Sequence, residues 1–392
     1  MSAAFGQWLE CTAAGEAPLP LKGLSLGCVG SRVYVFGGYG GGFSDDVHVL
    51  DLRAEAQWYK LQLLPPAGAA SGAEPDKPKR RAYHSCVEFA GELYVFGGAG
   101  AAGLYDDVWR LSLEERRGVM AGRWHACDAV GCALSKRRDH TATALPEAGL
   151  MVVIGGFDGV EFKNDVHALN LETLVWWKCC ICDAPNAPLR RSAHSAAKVP
   201  NRDAVVIFGG YNKQGCTNDA FVVQVDAMQA TARWDGAFEA LGEPPTQRYG
   251  HACCAFEKNV FVFGGAGPVT GYGADPSGSV THGDMAVLSF ANAHKVAWRR
   301  DQFGHAFEGA APSPRHSHAG VLCGELFVIV GGSTRGTFGP NDPFPPLLND
   351  FGILKLRAKD QDRAGAAGAL SQSAHSANGT VFTDATKAKG RP

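Results

Sequence analysis

The sequence has no apolar run that approaches 18 residues, which excludes a membrane-spanning helix. Its N-terminus lacks a basic start and a continuous apolar stretch, so no signal peptide is predicted. A net charge of −2 gives no general attraction for nucleic acid or for membranes. The 12 cysteines show no spacing typical of a disulfide framework. They predict reduced thiols in a protein of the cytoplasm, with the nucleus as the alternative.

Helical periodicity is also missing, because no segment keeps a period of 3.6 residues over three turns. Glycine, in contrast, is abundant at 50 residues. A diglycine ends a short apolar run, such as residues 33–36, at near-regular intervals along the chain. A repeat near 50 residues that is rich in strands is typical of a β-propeller. The first glycines of the six pairs are Gly37, Gly97, Gly155, Gly209, Gly264 and Gly331.

Other residues recur around each diglycine. In the third repeat an Arg and a His precede it, and an Asp and a Trp follow it: Arg137, His140, Asp165, and Trp176 or Trp177. This order resembles the kelch motif. The resemblance implies an all-β fold, a six-bladed β-propeller with four antiparallel strands per blade. We predict one domain over residues 1–357, with blades that start near residues 21, 81, 137, 191, 248 and 315.

The first repeat departs from this order, since Leu21 and Leu24 stand where Arg and His are expected. The last repeat lacks its Trp, and Trp8 near the N-terminus supplies one. We therefore predict that residues 6–13 complete the last blade and that Trp8 packs between the first and last blades. Residues 358–392 have the composition of a disordered tail. No BTB or F-box segment precedes the blades in this sequence.

Chemistry-bearing motifs are weak. The five repeated histidines occur no more than once per blade, so they predict a structural role and no metal site. Glu161 and Asp165 are followed by Leu169, where the iron-binding motif of some kelch propellers requires His. No Ser-His-Asp order, Walker loop or dinucleotide fingerprint is present. We expect no catalytic residue, no metal and no cofactor.

The loops after the diglycines carry the candidate binding residues. Those of blades five and six are about twice as long as the others, and long ordered loops are usually functional. All of these loops follow the same strand of their blade, so they are expected to share one face. The basic run at residues 77–81 is assigned to the opposite face. The candidate residues are Tyr39, Phe43, Tyr105, Phe157, Tyr211, Tyr272, Arg335, Phe338 and Phe344.

These features predict a protein-interaction module that binds a protein or peptide partner as a monomer, without nucleic acid or membrane insertion. Two alternatives remain open. One is a substrate receptor of a ubiquitin ligase that recognises short peptides. The other is an enzyme that uses the central channel.

Overall fold

The computed structural model describes residues 5–53, 55–70, 72–116, 118–132, 134–181, 187–237, 240–268, 279–290, 296–300, 307–334 and 347–357. Within these ranges the chain is built from strands, with a single 3-10 turn at Pro146–Ala148. The sheets form the six blades of a propeller, so the predicted fold class is confirmed. Tyr272, Arg335, Phe338, Phe344 and the predicted tail lie outside the described residues.

The strands are numbered in chain order. The first group contains β1 (Gly6–Leu9), β2 (Ala14–Gly15), β3 (Ser25–Val29), β4 (Arg32–Phe36), β5 (Val47–Asp51), β6 (Gln57–Lys60), β7 (Gln62–Leu63), β8 (Ser85–Phe89), β9 (Glu92–Phe96), β10 (Ala99–Gly100), β11 (Gly103–Leu104), β12 (Val108–Arg116) and β13 (Val119–Cys127). The second contains β14 (Val130–Gly131), β15 (Thr141–Leu145), β16 (Leu150–Phe157), β17 (Phe162–Asn170), β18 (Val175–Lys178), β19 (Cys180–Ile181), β20 (Ser195–Lys198), β21 (Ala204–Asn212), β22 (Gly215–Asp226) and β23 (Thr231–Ala237). The third contains β24 (Ala252–Phe256), β25 (Asn259–Phe263), β26 (Ala266–Pro268), β27 (Ser279–Thr281), β28 (Met285–Phe290), β29 (Val296–Arg300), β30 (Phe307–Glu308), β31 (Ala319–Cys323), β32 (Leu326–Val330) and β33 (Phe351–Leu356).

Each blade has four antiparallel strands, and their order runs from the innermost strand at the axis to the outermost strand at the rim. In chain order the blades are β3-β4-β5-β6, β8-β9-β12-β13, β15-β16-β17-β18, β20-β21-β22-β23, β24-β25-β28-β29 and β31-β32-β33-β1. The N-terminal strand β1 pairs antiparallel with β33, with Gly6 opposite Leu356, which confirms that the chain's two ends share the last blade. Closing the ring in this way leaves neither terminal strand as an open edge.

A fifth, parallel strand that the sequence did not reveal covers the rim of most blades. The strands β2, β7, β14, β19 and β30 pair with the outermost strands of blades one, two, three, four and six. In blade five the isolated parallel bridge between Leu241 and Ala297 takes this place. Each linker between blades therefore satisfies the backbone of an edge strand before the next blade begins.

The described core consists of six hydrophobic clusters, each between two neighbouring blades. Val33 and Val35 of β4 pack toward blade six, whereas Tyr34 and Phe36 pack toward blade two. Successive strand residues face opposite sides of a sheet, and here both sides are buried. This explains why the run before each diglycine is apolar throughout.

Two expectations about the core are wrong. Trp8 packs between blades five and six, with its ring 5.4 Å from that of Phe263, and not between the first and last blades. Cys28 and Cys323, expected to be reduced, are joined by a disulfide with a Cα–Cα distance of 5.7 Å. Pairing of distant strands brings these cysteines together, which spacing along the sequence cannot show. In the described ranges no helix is long and apolar enough to cross a membrane.

Candidate functional site

The recurring arginine is buried and binds a glycine carbonyl and an Asp carboxylate of its own blade. We call this set of contacts the arginine latch. In blade three, Nη1 of Arg137 donates to the Gly155 carbonyl at 2.8 Å and to Oδ1 of Asp165 at 2.8 Å. Nη2 donates to Oδ2 of Asp165 at 2.9 Å. Burial raises the pKa of Asp165, but the hydrogen bonds and charge of Arg137 outweigh it and hold that pKa below its usual value. The other latches pair Arg81 with Asp107, Arg191 with Asp219, Arg248 with Asp284 and Arg315 with Asp350.

The latch also joins neighbouring blades through the second glycine of the diglycine. The Gly98 N–H of blade two donates to the Arg137 carbonyl of blade three at 2.8 Å. Gly98 has φ +98°, and a Cβ there would lie 2.7 Å from Cβ of His84. Only glycine accepts both this backbone conformation and this close approach. The blade junction therefore explains why this position is glycine.

Six residues close a ring of backbone hydrogen bonds around the axis, each N–H donating to the carbonyl of the preceding blade over 2.7 to 3.0 Å. All six have positive φ. A cavity of about 120 Å³ lies beside them and is also lined by the repeated histidines. The ring residues are Gly23, Tyr83, Asp139, Ala193, Gly250 and Ser317.

The repeated histidines are buried and face the preceding blade, in agreement with a structural role. Nε2 of His84 lies 2.7 Å from the Ser25 hydroxyl, and Nε2 of His140 lies 2.9 Å from that of Ser85. Burial, reinforced by the charge of a nearby latch arginine, lowers the pKa of His194 to about 3. The ring is therefore neutral at physiological pH.

Three of the candidate aromatics lie at the channel mouth, on the face we call the diglycine face. Tyr39, Phe157 and Tyr211 form backbone bridges with Lys22, Arg138 and Ser192, the residues that follow the Arg position of their blades. Phe43 packs against Tyr39 with ring centroids 5.1 Å apart.

Tyr105 has a different environment. Its ring lies 4.5 Å from the Arg81 guanidinium, so it covers a latch. The basic run is also on the diglycine face, contrary to expectation, because Nζ of Lys77 pairs with Asp45 of the first diglycine loop at 2.9 Å. The linker that carries Lys77 returns from the outermost strand to the same end of the blade.

An aromatic arc crosses this face from blade three to blade six, and most of it was missed in the sequence. Adjacent ring centroids are separated by 5.3, 6.0, 5.9 and 6.1 Å. The available signal was the residue after each repeated Arg, which supplies two of the rings. In order, the arc consists of Phe157, Phe162, Tyr211, Tyr249 and His316.

Arg138 stands at the start of the arc. Its guanidinium lies 5.4 Å from the Phe157 ring and 5.9 Å from the Tyr83 ring, and it forms an ion pair with Asp139. Burial raises the pKa of the Asp139 carboxyl, and the neighbouring Arg138 offsets this only in part. The side chain of Arg138 is 40% exposed, so a guanidinium held by three neighbours is presented to solvent.

The hairpin between β16 and β17 rises beside the arc. Val160 at its tip is 86% exposed. The charged groups around it are paired within the chain: Lys163 with Asp158 at 2.7 Å, and Arg190 with Glu161. The hairpin thus offers an apolar tip beside charges that already have partners.

Sequence comparison agrees with this architecture. The family model of the KLHDC2/KLHL20/DRC7 Kelch-repeats domain matches residues 2–202 and 182–384. The chain belongs to this kelch-repeat family. Kelch domain-containing protein 3 of Bos taurus is 25% identical over 78% of this chain and 76% of its own length.

Other kelch relatives are longer proteins. Acyl-CoA-binding domain-containing protein 5 of Arabidopsis thaliana is 26% identical, and the match covers 67% of this chain but 38% of that protein. Host cell factor 1 of Homo sapiens is 26% identical over 67% of this chain and 14% of its own length. This chain therefore spans well under two thirds of the length of both. The solved structure of YjhT, at 17% identity, has a TM-score of 0.60 over 88% of this chain and 97% of that chain, which shows the shared fold alone.

Proposed function

We propose that this kelch propeller binds a protein or peptide partner on its diglycine face, along the aromatic arc. The contact of five rings from four blades is the observation that carries the proposal. Aromatic and Arg side chains dominate the binding energy of protein interfaces, and aromatic rings bury a large area with few rotatable bonds to fix. Arg138, already fixed by its neighbours, adds such an anchor at one end.

The exposed side chains on this face indicate the chemistry of the partner. Tyr211 is 44% exposed and Val160 86% exposed, and both lie on adjacent hairpins. Because Lys163 and Arg190 are paired within the chain, as Arg138 is with Asp139, we infer that the partner's central anchor is apolar or aromatic.

Catalysis in the channel is the weaker alternative. The axial cavity of about 120 Å³ is well below the roughly 300–1,000 Å³ of sites that bind small substrates. We therefore propose no catalytic residue and no cofactor. Recruitment of a ubiquitin ligase is left aside, because none of these contacts bears on it. Described cysteines that form no disulfide, such as Cys86, Cys253 and Cys254, fit the reducing cytoplasm or nucleus, which we propose as the location.

Quantitative affinity capture from cells tests the proposal. The tagged full chain is compared with the double variant Phe162→Ala and Tyr211→Ala. Met228→Ser is the matched control, since Met228 is 99% exposed on the turn between β22 and β23, at the opposite end of the same blade as Tyr211. We expect the double variant to lose the main partner and the control to keep it. Retention of that partner by the double variant, with normal folding, would show that the arc is not the binding surface.

A further inference from the structure

The junction between blades six and one, which we call the terminal seam, lacks a polar side-chain contact found at other junctions. At the next junction His84 of blade two contacts the Ser25 hydroxyl of blade one. At the terminal seam the equivalent position is Leu24, which is apolar and buried. Leu21 likewise replaces the latch arginine, and only its backbone carbonyl still accepts the Gly332 N–H at 2.8 Å. This seam thus depends on apolar packing and backbone hydrogen bonds.

The Cys28–Cys323 disulfide crosses this seam. Cys28 lies four residues after Leu24, which occupies the histidine position of blade one. Cys323 lies five residues after His318 of blade six. The other five junctions pair different residues at these two positions, and none of those described pairs contains two cysteines. They are Val29 with Glu88, Phe89 with Ala144, Leu145 with Lys198, Val199 with Ala255, and Phe256 with Leu322.

We propose that Cys28 and Cys323 form a reversible thiol–disulfide site that fastens the terminal seam. Both sulfurs lie 3.4 Å from the Gly30 carbonyl oxygen, so either thiol has a hydrogen-bond acceptor when the bond is reduced. Other described cysteines that form no disulfide, such as Cys86, Cys253 and Cys254, lie away from this seam. Each thiol therefore has a polar partner when the bond is reduced, and the disulfide ties β3 of blade one covalently to β31 of blade six.

The chemistry needs a small-molecule disulfide such as oxidised glutathione. The Cys28 thiolate, half-buried and more accessible than the 6%-exposed Cys323, attacks one sulfur of this oxidant and releases one thiol. The Cys323 thiolate then attacks the mixed disulfide at the Cys28 sulfur and releases the second thiol. The protein loses two protons and two electrons, and the oxidant is reduced to two thiols. Excess reduced glutathione drives the same steps in reverse.

The test equilibrates the purified full chain in glutathione buffers from reducing to oxidising. Peptide mass spectrometry after thiol alkylation measures the Cys28–Cys323 link, and calorimetry measures Tm. We expect the link to form and revert, with Tm higher by about 5 °C in the oxidised protein, because a cross-link across nearly the whole chain restricts the unfolded state. A Tm that does not depend on the buffer would overturn the proposal.

Two variants locate the effect. The double variant Cys28→Ala and Cys323→Val copies the apolar pair of Ala255 and Val199 at another junction, so it should fold and lose the redox shift of Tm. Cys132→Ser, at an exposed cysteine in the linker to blade three, should keep the full shift. A shift that persists in the double variant would assign the redox response to other cysteines.

Discussion

Arg137 and Arg138 are neighbours in sequence but belong to two different regions of the molecule. Arg137 is 1% exposed, and its guanidinium binds the Asp165 carboxylate and the Gly155 carbonyl inside the blade. Arg138 is 40% exposed, stacks on aromatic rings and pairs with Asp139 at the channel mouth. The same chemical group therefore stabilises the fold in one position and is presented to solvent in the next. The degree of burial distinguishes the two positions.

Replacement of the latch arginine should have the largest effect. Arg137→Ala leaves the Asp165 carboxylate without its bidentate partner, and breaking a buried ion pair in this way typically costs about 3–5 kcal/mol. Urea denaturation measures the free energy of unfolding. The matched control is Arg138→Ala, which should cost less than about 1 kcal/mol. Similar losses in the two variants would contradict the distinction between the regions.

Removal of the indole at the chain's N-terminal strand should have a comparable effect on stability. Trp8→Ala empties space between blades five and six, where Trp8 contacts Phe263, and should cost about 3–5 kcal/mol. Trp8→Phe keeps part of the packing and should lose less. Calorimetric Tm values of the two variants check the prediction, and an unchanged Tm in Trp8→Ala would show that β1 does not support the last blade.

Lowering the pH should reduce the free energy of unfolding through the buried histidines rather than through the diglycine face. Burial lowers the pKa of His194 and His251 to about 3, whereas an unfolded His titrates near 6.5. Each buried His therefore stabilises the fold fully above pH 6.5, and this contribution is lost as the pH falls from about 6.5 toward 3. Each such group loses about 1.4 kcal/mol per pH unit in that window.

The repeated histidines make this loss steep, since burial also lowers the pKa of His84, His140 and His318. Tm measured between pH 7.5 and 5 should fall with increasing slope below pH 6.5. His194→Gln, which cannot take up the proton, should reduce the slope even if its Tm at neutral pH is lower. A flat profile would mean that the histidines are not buried as neutral groups.

Substitutions on the diglycine face should have the smallest effect on the free energy of unfolding. Tyr211→Ala and Arg138→Lys should each change the free energy of unfolding by less than about 0.5–1 kcal/mol, because they remove partly exposed side chains. Binding of the captured partner should weaken about 30-fold for Tyr211→Ala if it is a hot spot. Arg138→Lys keeps the charge but loses the planar stacking, so calorimetric titration should also show weaker binding. Unchanged affinity in both variants would remove the arc from the interface.

Much of the inner region could be predicted from the sequence. The repeated Arg, His, diglycine and Trp each serve one blade or one junction, so five or six copies at the same spacing reveal them. The outer region could be predicted only in part. Phe157 and Tyr211 follow a diglycine and were identified, but Phe162, Tyr249 and His316 come from strand starts and hairpins whose meeting depends on the ring. The disulfide was missed for the same reason.

The sequence by itself determined the number of blades, the apolar strands and the return of the N-terminal strand to the last blade. These follow from local periodicity and from a repeat that must bury both faces of each sheet. Closure of the ring decided which loops stand side by side, which linker covers which edge, and that Cys28 meets Cys323. Contacts between residues far apart along the chain depend on the three-dimensional register of the blades, which no local pattern specifies.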